Sequence, residues 1–148
     1  MMPSYTAASI RSDNNVGRLI GRVRHAILHA IDAKLAPLDL TAAQWAVVVY
    51  LAEGLASTPA ELATLLDSDR GAMTRLIDRL ESKSIICRKP HSTDRRSVTL
   101  TLTDSGRAAY PAIRPMVVEV LNGLLEGFES KEVDQLESYL QRILANAS

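Results

Sequence analysis

Near its middle the chain changes its apolar period from 3.6 to 2, and that switch leaves few folds open. Thr58-Pro59-Ala60-Glu61 marks a helix start: Thr as N-cap, Pro at the first helical position, and Glu three residues after the cap to bond back. The helix that follows is short and ends near Leu66. Ser68 or Asp69 then caps a second helix, whose core face is Met73, Leu76, Ile77 and Leu80 at i, i+3, i+4 and i+7. Two short helices separated by a few residues have the spacing of a helix-turn-helix. After Lys83-Ser84 the chain reads as strand, first Ile85-Ile86-Cys87-Arg88, then Val98, Leu100 and Leu102 alternating with Thr99, Thr101 and Thr103. The polar stretch between them, Lys89-Pro90-His91-Ser92-Thr93-Asp94-Arg95-Arg96-Ser97, is too long for a tight hairpin. A basic-tipped β-hairpin directly after a helix-turn-helix is a wing.

Helical stripes flank this centre. Val16, Leu19, Ile20, Val23, Ile27, Ile31 and Leu35 recur at helical spacing, and Pro37 ends the run. Thr41-Ala42-Ala43-Gln44 is a capping-box sequence, opening a helix through Trp45, Val48, Val49 and Leu51 to about Glu53, closed by Gly54. Thr103-Asp104-Ser105 caps a long helix predicted to run through Phe128, with a bend expected where Pro111 and Pro115 remove backbone donors. Ser130 opens a last helix with Val133, Leu136, Leu140, Ile143 and Leu144 on one face. The terminal stripes are expected to pack together within and between subunits, and residues 1–11 to form a frayed arm. The expected fold is mainly α (α+β), a winged helix-turn-helix with long N- and C-terminal dimerisation helices. Its expected parts are residues 1–37, an arm and dimerisation helix; 38–103, the DNA-binding module; and 104–148, C-terminal dimerisation helices.

Bulk properties narrow the function. With 148 residues, 47% of them apolar, the chain builds one domain with a real core. No window approaches the roughly 18–20 apolar residues that cross a bilayer, and the N-terminus lacks the basic-then-apolar pattern of a secretory signal. A single cysteine, Cys87, excludes an intrachain disulfide framework and fits a reducing cytoplasm. Aromatics at 4% argue against a base-stacking RNA surface. Neither a Gly-x-Ser-x-Gly elbow, a phosphate loop nor a metal-ligand cluster is present, so no catalytic residue, cofactor or metal is expected. The net charge is zero but its distribution is uneven. Residues 68–107 hold nine Lys or Arg against five acids, whereas residues 108–148 hold three against six. A basic middle and an acidic tail suit a molecule with one DNA-facing side.

These residues resemble a known family. Leu38-Asp39-Leu40-Thr41-Ala42-Ala43-Gln44-Trp45 is similar to the start of the second helix in the multiple antibiotic resistance (MarR) type of regulator, and residues 69–81 to its recognition helix. The family's wing signature, Asp-x-Arg followed after five residues by Leu-Thr, is met by Asp94, Arg96, Leu102 and Thr103. The resemblance runs without a gap from Leu38 to Gly106. One position departs: where the family usually has Gly after the recognition helix, this chain has Ser84, and a left-handed Ser there would cost roughly 1 kcal/mol.

The resemblance implies a homodimeric, ligand-responsive repressor of the cytoplasm that reads a pseudo-palindrome of double-stranded DNA. Gly71, Ala72 and Arg75 share the face opposite the apolar stripe and match family positions that touch base edges; Arg75 is the expected base reader. Arg70, Thr74 and Arg79 are expected nearer phosphate. At the wing tip, with Arg95 beside it, Arg96 is expected in the minor groove with Asp94 as its partner. Thr74 and Arg88 match positions that hold a salicylate-type carboxylate in the family, so an aromatic acid is the expected effector. The residues alone leave Arg88 open, as effector ligand or as a strand residue bound to phosphate or a neighbouring acid. Thr74 cannot easily serve effector and phosphate together unless the two compete. His25 and His29 stand at i, i+4 without a third ligand and read as a polar face rather than a zinc site. Cys87 reads as a structural thiol, Trp45 as core. The alternative class is a winged helix that docks a protein and not DNA, for which donors at Arg75 and Arg96 have no use.

Overall fold

The computed structural model describes residues 4–90, 93–94 and 97–147. In chain order the elements are α1 (Val16–Leu35), a single 3-10 turn (Ala36–Leu38), α2 (Ala42–Ala52), α3 (Pro59–Leu65), α4 (Arg70–Ser82), β1 (Ile86–Pro90), β2 (Val98–Leu102), α5 (Asp104–Leu124) and α6 (Ser130–Asn146). The chain is thus mainly helical around one antiparallel hairpin, the winged helix-turn-helix that the sequence predicts.

Side-chain caps fix most boundaries. Thr41 and Gln44 form a reciprocal box at the start of α2, and Thr58 and Glu61 do the same for α3. Asp69, rather than Ser68, caps α4 by accepting the Ala72 N–H at 2.8 Å, and Thr103 accepts the Gly106 N–H at 3.1 Å to start α5. Each of these satisfies a donor that the first helical turn leaves without a partner.

Two elements differ from expectation in their bounds, each for a local reason. Ile85 is not in the first strand: its N–H closes the end of α4 on the Leu80 carbonyl at 3.0 Å. The strand starts at Ile86 and extends through Lys89 and Pro90, which pair with Thr99 and Val98. Helix α5 ends at Leu124 and not at Phe128, because Gly127 takes φ +88°, a value no right-handed helix contains. Helix α6 opens at Ser130 as expected, with Glu129 as its extended cap, the Glu129 N–H donating to Glu132 Oε2 at 2.8 Å. Helix α5 continues through Pro111 and Pro115 without a break.

The core is one cluster that crosses the expected segment limits. Val47 and Val48 of α2, Leu62 of α3, Met73, Ile77 and Leu80 of α4 and Ile86 of β1 are fully buried, and Ile31 and Leu35 of α1 and Ile113 of α5 join them. At about 1.5–3 kcal/mol for each large apolar side chain, this cluster dominates the folding energy. The Leu100 N–H donates to the Ser57 carbonyl at 2.7 Å, tying the α2–α3 connection to the wing.

Where α4 passes into the wing, Ser84 takes φ +57°, so the left-handed turn is kept without the family's glycine. Gly106 lies so close to this turn that a Cβ there would stand 2.1 Å from the Ile85 carbonyl oxygen. Only glycine lets α5 approach the hairpin this closely.

Much apolar surface remains without cover. Val16, Leu19, Ile20 and Val23 of α1, Val118, Leu121 and Leu124 of α5, and Leu136, Tyr139, Leu140, Ile143 and Leu144 of α6 are exposed. No described residue of α6 is buried. An apolar groove of about 370 Å³ separates α1 from α6, floored by Leu19, Val23, Ile27, Leu136 and Leu140.

Candidate nucleic-acid interface

Helix α4 is amphipathic, and the face away from its core stripe carries the predicted reading residues. Arg70, Gly71, Thr74, Arg75 and Arg79 are exposed, and Ala72 is half-buried. A Cβ built on Gly71 would lie 3.3 Å from Arg75 Nη1, which shows the guanidinium drawn back along the helix toward its N-terminus. Among the described residues no carboxylate pairs with Arg70, Arg75 or Arg79. Three solvated arginines within three turns of one helix therefore present uncompensated positive charge. Thr74 Oγ1 donates back to the Arg70 carbonyl at 2.8 Å, so its hydroxyl hydrogen is held within the helix.

Other cations of the basic segment are used internally. Lys83, at the end of α4, binds the Asp39 carbonyl, lies 3.2 Å from Gln44 Oε1 and 3.3 Å from the Asp39 carboxylate, and so ties α4 to the start of α2. Arg107 binds the Leu102 carbonyl and Asp104, both at 2.7 Å. The Lys83 partners lie far off in sequence, so local pattern does not reveal them, whereas the Arg107–Asp104 pair is an i, i+3 contact that helical spacing allows.

Arg88 is bound by two acids of α4. Its Nη2 lies 2.5 Å from Asp78 Oδ1, its Nη1 2.7 Å from Glu81 Oε1, and its backbone N–H donates to Glu81 Oε2 at 3.2 Å. The bond to Asp78, opposed by desolvation and helped by Glu81, holds the guanidinium pKa above its usual value. Asp78 and Glu81 are thus the neighbouring acids that Arg88 meets in the single chain. Thr74 lies instead on a cleft of about 380 Å³ with Pro59, Arg70, Met73, Ser97 and Val98, which Arg88 does not line. Asp78 and Glu81 went unassigned in sequence; the available signal was two acids at i, i+3 ahead of an Arg-bearing strand.

In the wing, Asp94 accepts from Ser97 Oγ at 2.9 Å, and its carbonyl accepts the Ser97 N–H at 3.1 Å. Arg95 and Arg96 lie outside the described residues, and with them the expected Asp94–Arg96 pair.

Other candidates fall in ordinary places. His25 and His29 are exposed with ring centroids 6.3 Å apart, and among the described residues no group of three metal-binding side chains occurs. Cys87 is half-buried with its Sγ 3.1 Å from Thr101 Oγ1. Trp45 is buried and stacked on Tyr110 at 5.8 Å. The Tyr110 hydroxyl donates to Glu53 Oε1 at 2.5 Å and accepts from Arg114 at 2.8 Å, joining α2 to α5. Its bond to Glu53 raises the phenol pKa. No single helix among the described residues is long and apolar enough to cross a membrane.

Comparison with known proteins agrees with this geometry. The MarR family model matches residues 40–98. The multiple antibiotic resistance protein MarR of Escherichia coli (strain K12) is 35% identical over 130 residues, covering 87% of this chain and 90% of that protein. A crystal structure of an E. coli MarR mutant complexed with operator DNA has a TM-score of 0.80 at 35% identity, covering 87% of this chain and 93% of that one. A transcriptional regulator (MarR family) from Rhodococcus sp. RHA1 has a TM-score of 0.81 at 26% identity over 91% of this chain and 96% of its own. Identity of this level over nearly the whole length makes the chain a member of the MarR family of transcriptional regulators and not an enzyme.

Proposed function

We propose that this regulator is a sequence-specific repressor that acts in the cytoplasm as a homodimer, binds a pseudo-palindromic operator, and is released by a small aromatic acid. The observation that carries the DNA-binding reading is the trio Arg70, Arg75 and Arg79, exposed on α4 with no carboxylate paired to them among the described residues. Arg75, beside Gly71 and Ala72, reads a base edge in the major groove, while Arg70, Thr74 and Arg79 meet phosphate. Arg95 and Arg96 extend the contact from the wing, with Arg96 in the minor groove. The operator complex of the E. coli relative supports this arrangement.

The exposed apolar faces of α1, α5 and α6 support a two-fold dimer, since one module touches too few base pairs to be selective. The effector carboxylate is held by Thr74 and Arg88. At Arg88 it must displace Asp78 or Glu81, so release of DNA and loss of that pairing go together.

Salt dependence tests the reading. Affinity for a duplex that the protein selects from a random-sequence pool should fall steeply with salt, and Arg96→Ala should reduce the slope by about one. Absent or salt-insensitive binding would show a protein-docking winged helix instead. Salicylate should weaken the complex; an undiminished response in Arg88→Ala would remove that residue from the effector site.

A further inference from the structure

Arg88 stands in the middle of β1, opposite Leu100. It sends three hydrogen bonds to one helix, two from separate guanidinium nitrogens and one from its backbone. Asp78 and Glu81 receive them from one turn of α4, the turn that also carries Arg79. A planar fork reaching two separate carboxylates fixes direction as well as distance, which a lysine ammonium cannot do. The guanidinium is half-buried, so these bonds are less screened than those of a surface pair. The two acids also stand on the helix that faces phosphate, where they oppose DNA unless a cation answers them.

We propose that Arg88 is a positioning residue for DNA recognition: with Asp78 and Glu81 it clamps the first wing strand to the recognition helix and sets the distance between that helix and the wing tip. This rests on the DNA-binding reading above. It gives Asp78 and Glu81 a role opposite to the one their charge suggests. By charge alone, neutralising them should tighten binding to DNA. By geometry, it should loosen the wing and weaken specific binding.

The test uses the full-length protein, the duplex the wild type selects from a random-sequence pool, and a scrambled duplex of equal length. All measurements are made well below each variant's melting temperature. Asp78→Asn/Glu81→Gln should bind the selected duplex about tenfold more weakly, the scale of coupling between contacting groups, while binding the scrambled duplex no less tightly. Arg88→Ala should lose the same factor, and the triple variant should lose no more. Arg88→Lys, with one ammonium for two acids, should recover only part. The proposal is overturned if Asp78→Asn/Glu81→Gln binds the selected duplex as tightly as the wild type or more so, or if Arg88→Ala costs as much with the acids neutralised as with them present. Failure of the wild type to select any sequence is a separate outcome, which removes the DNA-binding reading and this proposal with it.

Discussion

Two residues show how differently a glycine and an arginine constrain this molecule. Gly106 brings no polar side chain; its missing Cβ is what lets the first turn of α5 rest on the Ile85 carbonyl. Gly106→Ala should therefore destabilise the fold by about 1–3 kcal/mol, the usual cost of overpacking, seen as a lower melting temperature with no change in the DNA sequence selected. Arg75 is the reverse case, exposed and without an ion-pair partner among the described residues. Arg75→Ala should leave the melting temperature almost unchanged yet cost about 1–3 kcal/mol in binding and relax specificity at one base position. Uniform weakening across all sequences would make it a phosphate contact only.

Element by element, capping governs the helix-turn-helix. Glu61 accepts backbone N–H groups from Ser57 and Thr58, the first being the main reason its pKa lies below the ordinary 4.5. Because the folded value is the lower one, its contribution is present above the ordinary value and lost as pH falls through the folded value. Glu61→Gln should flatten that acid limb of the stability curve, as followed by urea unfolding at a series of pH values. Thr58→Ala should cost about 1 kcal/mol at neutral pH. Periodicity and cap residues made nearly every element legible from sequence, since both are local. What local pattern missed was decided across the fold. Ile85 leaves the strand because it closes α4, and Arg88 turns to Asp78 and Glu81, seven to ten positions back in sequence. Likewise, Tyr110 meets Glu53 and Trp45 only once α5 lies against α2. The exposed face of α4 was legible because helix geometry alone puts Gly71, Arg75 and Arg79 on one side.

As a whole, the molecule leaves apolar surface bare on α1, α5 and α6 and positive charge bare on α4. Val23 and Leu144 are 56% and 69% exposed in the single chain, so changing them should not disturb its own core. Val23→Glu/Leu144→Glu should give a folded monomer in sedimentation, with operator affinity lower by a hundredfold or so as the second half-site is lost. A dimer that persists and binds normally would place the interface elsewhere. The most direct test of the paired arrangement is hydroxyl-radical footprinting of the wild type on its selected duplex. Two protected stretches related by a dyad, with major-groove contacts about one helical turn apart, are expected. A single protected stretch, filled by one subunit for each duplex, would contradict it.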